Sequence, residues 1–169
     1  MSVILKPALL IGAAMAAAVP MPGPGPARGP RADAKVTILL LNGKNGRPMK
    51  RTLLNITIFP RMPKPNPPGP AWAGWPETRA FYPQTDRKGE ATIRAPMSGA
   101  VEVFAGGYDV PCSPPLPNSR FPTALYPVGR ILSHGTVAEN TCGKGHAVPV
   151  PGRLVIFARP MTFWERMGT

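Results

Sequence analysis

The chain has 169 residues and a formal net charge of +12 at pH 7, with 18 glycines and 25 prolines. This length fits a single domain once unstructured ends are set aside. A chain this basic favours anionic partners. No RNP-type, helix-turn-helix or zinc-finger signature accompanies the charge, so we expect no nucleic-acid partner.

Residues 1–18 have the features of a signal peptide. Lys6 supplies a positive charge, and Ala8–Val19 is an apolar stretch too short for a bilayer span, which needs ~20 residues. The small residues Ala16 and Ala18 predict cleavage after residue 18. We therefore expect a secreted or periplasmic protein with no transmembrane span after signal removal. The alternative is a retained membrane anchor.

Residues 19–34 are rich in proline and glycine. Proline lacks a backbone N–H and glycine raises the entropy cost of ordering, so such a segment builds neither a helix nor a sheet. We expect an extended linker over residues 19–34, followed by a single β-sandwich domain over residues 35–169.

Short apolar runs after the linker have the length and alternation of β-strands. The predicted strands are Val36–Leu41, Thr52–Phe59, Ala91–Ala95, Ala100–Ala105, Val128–Leu132, Thr136–Val137 and Leu154–Ala158. The third and fourth of these predict a hairpin across residues 96–99. Residues Met161–Met167 predict one helical turn that packs aromatic side chains on the sheet.

Residues 60–83 form a long proline-rich excursion, which we expect to run over the surface because its backbone lacks ladder partners. Trp72 and Trp75 lie in it and are candidates for stacking on sugar rings if they are exposed. The favoured interpretation is that they fold back with Phe81 and Tyr82 to cap one end of the sandwich.

Cys112 and Cys142 are the two cysteines of the chain. In an exported protein an isolated pair is normally bridged, so we predict a disulfide between them. Two alternatives use the same residue types: a zinc site formed with His134 and His146, and a Cys–His nucleophile. Neither cysteine belongs to a C-x-x-C pair, so we predict no metal and no cofactor.

Two turn signatures are flanked by strand-like runs. Their residues are Gly43, Gly46 and Pro48 in the first, and Thr85, Asp86 and Gly89 in the second. With the strands around them, over residues 36–105, they resemble the carboxypeptidase regulatory-like or transthyretin-like β-sandwich family. The resemblance implies an all-β, antiparallel Ig-like or transthyretin-like sandwich. It also implies a structural turn in which the Asp side chain accepts backbone N–H bonds and the Gly has a positive φ.

No catalytic constellation is present in the sequence. The acidic residues show no paired-carboxylate spacing, and neither G-x-S-x-G nor H-E-x-x-H occurs. We therefore expect a non-catalytic exported accessory or structural module that engages an anionic or carbohydrate partner, such as an acidic polysaccharide or a cell-envelope component. The alternative is a small secreted hydrolase or a thiol-dependent enzyme.

The basic residues look scattered along the chain. They occur, for example, at Lys44, Arg47, Lys50, Arg51, Arg61, Lys64, Arg87 and Lys88. A solvated basic surface without a dedicated ligand is therefore the competing interpretation of the charge.

Overall fold

Two β-sheets pack face to face in the computed structural model of the protein, which describes residues 33–62, 78–107, 109–113 and 124–168. In chain order, the elements in these ranges are β1 (Asp33–Asn42), β2 (Leu54–Phe59), β3 (Arg79–Phe81), β4 (Glu90–Pro96), β5 (Ala100–Ala105), β6 (Asp109–Pro111), β7 (Leu125–Pro127), α1 (Val128–His134), β8 (Thr136–Val137), β9 (Arg153–Pro160) and α2 (Phe163–Met167).

The first sheet has the strand order β4-β1-β9-β6, and β8 pairs with the first half of β9. β1 is antiparallel to β4 but parallel to β9, with Asn42 opposite Ala158. The carboxyl ends of β1 and β9 therefore lie side by side at one end of the sandwich.

The second sheet has the order β3-β2-β5-β7 and is antiparallel throughout. Alternate residues of both sheets point inward, because successive side chains of a strand leave opposite faces. The main core contains Val36, Ile38, Leu40, Leu54, Ile56, Ile58, Ile93, Val101, Val103, Ile131, Leu154 and Ile156. The described residues are an all-β sandwich, as predicted.

A second, smaller core lies on the outer face of the first sheet. Its buried members are Leu41, Cys112, Val155 and Phe157. The partly buried side chains of the segment after β8, including Cys142 and Ala147, pack against it. Both faces of this part of the sheet are therefore covered.

The predicted strands at β1, β2, β4, β5, β8 and β9 are confirmed, and so is the short C-terminal helix. The predicted hairpin of Ala91–Ala95 with Ala100–Ala105 is wrong, because β4 pairs with β1 in one sheet and β5 pairs with β2 in the other. Residues 97–99 cross between the sheets. The strand predicted at Val128–Leu132 is also wrong, because these residues begin helix α1, which buries Val128 and Ile131.

Three further expectations concern the ends of elements and the proline-rich excursion. β1 begins at Asp33, two residues inside the predicted linker. β3 lies within the excursion, and its Phe81 and the following Tyr82 are exposed, which contradicts the predicted capping role of these two side chains. Trp72, Trp75 and the predicted signal peptide lie outside the described residues.

In the part of the chain that the structure describes, no helix is both long and apolar enough to cross a membrane.

Candidate functional site

Three segments that are distant in sequence meet at the end of the sandwich where β1 and β9 finish. They are residues 42–53, 84–89 and 140–147. Backbone hydrogen bonds join them: the Arg51 N–H donates to the Thr85 carbonyl at 2.9 Å, and the Gly145 N–H donates to the Gly43 carbonyl at 3.0 Å. The three segments therefore form one continuous surface.

This surface carries a concentration of positive charge. We call it the basic end and define it by the exposed side chains of Lys44, Arg47, Lys50, Arg51, Arg87, Lys88 and Lys144. Asp86 is the one carboxylate in the three segments. Of the ion pairs found among the described residues, none includes a residue of the basic end.

Asp86 is committed to its own turn. Its Oδ1 accepts hydrogen bonds from the N–H groups of Glu90 at 2.9 Å and Lys88 at 2.8 Å, and these bonds hold its pKa below the ordinary value. Gly89 has φ +77°, in the left-handed region, and its N–H donates to the Asp86 carbonyl. The predicted turn geometry is thus confirmed.

Thr85 links the second segment to the first. Its side chain is buried, although the residue is polar, and both of its hydrogen-bonding capacities are used. The Oγ1 donates to the Met49 carbonyl at 2.7 Å and accepts from the Thr52 N–H at 3.0 Å. The residues predicted as structural turn positions are therefore the framework that holds the basic end together.

A disulfide fixes the third segment to β6. Cys112 and Cys142 are bonded, with their Cα atoms 5.2 Å apart, as predicted. The N–H and Oγ1 of Thr141 both donate to the Cys112 carbonyl, at 2.7 and 2.6 Å. Because both sulfur atoms are consumed in the bond, the zinc ligand set and the Cys–His nucleophile considered above are contradicted.

Asn140 and Gly43 bring the third segment against the first. The Asn140 Nδ2 donates to the carbonyls of Gly43 at 2.8 Å and Gly145 at 2.7 Å. A Cβ at Gly43 would lie 2.6 Å from Asn140 Oδ1 and 2.7 Å from Cys112 Sγ. The absence of a side chain at Gly43 is therefore what allows this close approach. Nothing in the sequence marked Asn140 for this role.

The other two residues of the first turn signature also belong to this framework. Gly46 has φ +69°, as its turn requires. Pro48 makes a bridge with Leu41, and its Cβ lies within 2.9 Å of where a Cβ on Gly89 would stand. The two predicted turns are in direct contact with each other.

Arg51 has an unusual backbone conformation. Its φ is +53°, and among the described residues no other residue apart from glycine has a positive φ. This region costs an ordinary L-residue about 1–2 kcal/mol. The hydrogen bonds from Arg51 and Thr52 to Thr85 hold the backbone there, while the Arg51 side chain stays exposed.

Helix α2 adds an apolar patch at the same end. The Gly43 N–H donates to the Ala158 carbonyl at 2.9 Å, and α2 begins three residues after β9 ends. Phe163, Trp164 and Met167 are 65%, 78% and 69% exposed. The prediction that these aromatic side chains pack on the sheet is therefore wrong.

The structure brings together six of the eight basic residues that appeared scattered in sequence, and adds Lys144. Arg61 lies near the opposite end, where the Met62 N–H donates to the Ser98 carbonyl, and Lys64 lies outside the described residues. The possible sugar-stacking pair, Trp72 and Trp75, is likewise outside them. Among the residues that the structure describes, no three His, Cys, Asp or Glu side chains come together as a metal site would need.

Comparison of the chain with protein-family models, with curated proteins and with solved structures finds no match. The resemblance to the carboxypeptidase regulatory-like and transthyretin-like family stays a prediction that rests on the two turns and the strands beside them.

Proposed function

We propose that the protein is a non-catalytic, exported accessory module that binds a polyanion of the cell envelope through its basic end. The observation that carries this proposal is the gathering of seven exposed cationic side chains on three interlocked segments, with Asp86 as the one carboxylate among them. Exposed charges on a folded surface usually alternate in sign. A one-sided cluster favours a ligand with repeated negative charges.

The rigidity of the segments supports binding over mere solubility. Charges that only keep a protein soluble need no fixed positions, whereas a binding surface gains affinity when its groups are already in place. Here Thr85, Asn140 and the disulfide fix the backbone of all three segments. At physiological salt, charges interact over about 8 Å, so neighbouring cations on such a surface act on the same stretch of polymer.

The disulfide supports the exported location. Cysteine pairs persist as disulfides in oxidising compartments and are kept reduced in the cytosol. The Cys112–Cys142 bond therefore agrees with a protein that works outside the cytoplasm, where phosphate-rich and carboxylate-rich polymers of the envelope are the available anionic partners.

A charge-matched pair of variants tests the proposal. The first is Lys44→Gln/Arg47→Gln/Lys50→Gln at the basic end. The second is Lys35→Gln/Arg94→Gln/Arg130→Gln, three exposed cations on β1, β4 and α1. Each variant replaces three cationic side chains by neutral glutamine, so the two have the same net charge. Retention is measured on an acidic polysaccharide, polygalacturonate, and on neutral dextran, at low and high salt.

Wild type and the second variant should be retained on the acidic polymer in a salt-sensitive manner. The first variant should bind at least about tenfold more weakly, since each cation near an anionic surface contributes about 1 kcal/mol. Equal losses in the two variants would show that net charge alone is responsible and would overturn the proposal. Including Trp72→Ala/Trp75→Ala tests sugar stacking, which predicts salt-resistant retention that this change abolishes.

A further inference from the structure

The exposed aromatic side chains of α2 are held in place without being buried. A helix of five residues does not form on its own, because the first turn is costly to nucleate. Its side chains are not buried in the core either. Something other than apolar packing must therefore fix it.

Polar contacts do this. Arg159 donates from both terminal nitrogens to the Glu165 carboxylate, at 2.8 and 2.6 Å. The same carboxylate accepts from the Thr162 N–H at 2.7 Å, and the Thr162 hydroxyl accepts from the Glu165 N–H, which completes a capping box. While these contacts hold the turn, Phe163, Trp164 and Met167 stay exposed.

The aromatic patch and the basic end share one end of the molecule. β9 ends beside the loop that follows β1, and α2 begins three residues after β9 ends. The end of β9 also pairs with β6, with Asp109 opposite Pro160, and the ion pair of Arg159 with Glu165 ties α2 to this end of β9. The cations and the exposed apolar side chains thus lie at the same end of the sandwich.

The combination of cations and exposed aromatic side chains distinguishes between three possible partners of this surface: a soluble polyanion, a second copy of the chain and an anionic bilayer. A soluble polyanion would engage the cations but leave Phe163 and Trp164 in water. A second copy of the chain, docked by the same end, would bring two sets of cations together. An anionic bilayer satisfies both features, since its headgroups attract Lys and Arg while Trp and Phe partition into the interface.

We propose that the basic end docks on an anionic phospholipid bilayer surface and that Phe163 and Trp164 insert at the headgroup level. This inference rests on the proposed function and names its partner. The protein then lies on the membrane by one end, with the start of β1 at the other.

The test uses sedimentation with vesicles of phosphatidylglycerol mixed with phosphatidylcholine, and with vesicles of phosphatidylcholine alone. The aromatic variant is Phe163→Ser/Trp164→Ser. A matched pair of single changes is Met167→Ser and Met97→Ser, since both methionines are exposed but lie at opposite ends. In a Trp72→Phe/Trp75→Phe background, Trp164 is the one remaining tryptophan of the three, and brominated lipids report its depth.

Wild type should bind the anionic vesicles but not those of phosphatidylcholine alone. In the Trp72→Phe/Trp75→Phe background, binding should shift the Trp164 emission to the blue, and brominated lipids should quench it. The aromatic variant should lose about tenfold or more in partitioning, and Met167→Ser should lose more than Met97→Ser. On the acidic polysaccharide the aromatic variant should bind as wild type does, which shows that it is folded and keeps its basic end.

Other results overturn the inference. If the aromatic variant binds vesicles as wild type does, insertion is wrong while the proposed function stands. If wild type binds polygalacturonate but not vesicles, the bilayer is the wrong polyanion. If sedimentation velocity shows a dimer that the aromatic variant loses, a second copy covers the patch instead. If wild type binds neither vesicles nor polymer, the proposed function falls as well.

Discussion

At the scale of single residues, the basic end depends on positions that tolerate no side chain. Gly89 combines a positive φ with close packing: a Cβ there would lie 2.9 Å from both the Leu40 carbonyl oxygen and the Pro48 Cβ. Gly152 has nearly the same φ, +79°, but a Cβ there would meet nothing within 4 Å. Substituting each glycine in turn therefore distinguishes the cost of backbone strain, which both share, from the cost of steric overlap, which only Gly89 has.

We predict that Gly89→Ala lowers the free energy of unfolding more than Gly152→Ala. The second change carries only the strain of the left-handed region, about 1–2 kcal/mol. The first adds overpacking, which costs a further 1–3 kcal/mol or so. Urea unfolding of the two variants measures the difference. Equal losses would contradict the prediction, since they would mean that the close packing around Gly89 adds nothing to the cost of the strained backbone.

Arg51 differs from these glycines, because it carries a long side chain at a positive φ that glycine would adopt without strain. We predict that Arg51→Gly does not lower the free energy of unfolding and raises it by up to about 1 kcal/mol, because the strain is relieved. The same variant should bind the acidic polymer more weakly than wild type. Thermal melting and polymer retention test the two halves separately.

Arg47→Gln is the control for Arg51→Gly, since it removes one charge of the basic end from a residue that has no positive φ. It should weaken polymer binding without a gain in stability. If Arg51→Gly unfolds more readily than wild type, the left-handed backbone is not a source of strain. If it binds as wild type does, Arg51 does not contact the ligand.

At the scale of elements, the Glu165 carboxylate determines whether α2 exists. Hydrogen bonds from Arg159 and Thr162 lower its pKa strongly below the ordinary value of 4.5. A lowered pKa in the folded state means that the stabilising contribution is complete above about 4.5 and is lost as the pH falls through the folded value. We therefore predict that α2 stays ordered at pH 4.5 and loses order only in stronger acid.

The measurement is the indole N–H resonance of Trp164 followed by NMR as the pH is lowered. Glu165→Gln cannot form the ion pair, so in this variant the resonance should have the position of the disordered turn at every pH. The amide resonances of β1 and of residues 153–156 of β9, which lie away from Arg159, should stay unchanged. A wild-type resonance that shifts near pH 4.5 would show that Arg159 does not stabilise the carboxylate.

Elements were predictable from sequence where local chemistry decides them. Buried and half-buried side chains alternate from Leu54 to Ile58, and Asp86 and Gly89 set their turn by local hydrogen bonds and φ. The predicted hairpin of β4 and β5 was wrong because tertiary contacts decide which strands pair. β4 pairs with β1 and not with β5. The short apolar run at Val128–Leu132 fits a strand or a helix equally well, so periodicity could not identify α1.

The segment after β8 is held by two separate devices, the disulfide and the Asn140 clamp. We predict that Cys112→Ala/Cys142→Ala costs about 3.5 kcal/mol of unfolding free energy, the chain-entropy value for a closed loop of about 30 residues. Asn140→Ala should cost about 1–3 kcal/mol, because the Gly145 carbonyl loses its Asn140 donor and the Gly43 carbonyl keeps only the Gly145 N–H. Urea unfolding measures both.

Because both devices fix the same segment, the combined variant should lose less than the sum of the two separate costs. Lys144 lies on this segment, so each variant should also weaken binding to the acidic polymer. Strict additivity, with polymer binding unchanged, would indicate that the segment is positioned by its packing on Val155 and Phe157 instead.

At the scale of the whole molecule, the basic end could not have been predicted from the sequence. Its segments come from three separate regions, and the bond from Asn140 to Gly43 spans 97 residues. Six of its cations had been noted singly, but only the fold makes them neighbours. The exposure of the α2 aromatic side chains could not be predicted either, because the sequence F-W-E-R-M is compatible both with burial on a sheet and with exposure to a partner.

The sandwich has two distinct ends, and this gives the last prediction. The basic end and α2 lie at the carboxyl ends of β1 and β9, whereas residues 97–99 and α1 lie at the other end, where the Val128 N–H donates to the Gly99 carbonyl. If the protein binds by the basic end, its amide hydrogens should be protected from exchange at that end only. Amide hydrogen exchange is measured with and without phosphatidylglycerol vesicles, and with polygalacturonate.

With vesicles, we expect slower exchange in residues 42–53, 84–89, 140–147 and α2, and unchanged exchange in residues 97–99 and α1, because a ligand suppresses local opening where it binds. With the soluble polymer, protection should cover the three basic segments but spare α2, since no apolar interface is offered to Phe163 and Trp164. Protection spread evenly over both ends would contradict a single binding end. Protection of α2 by the polymer would mean that the aromatic side chains contact sugar rather than lipid.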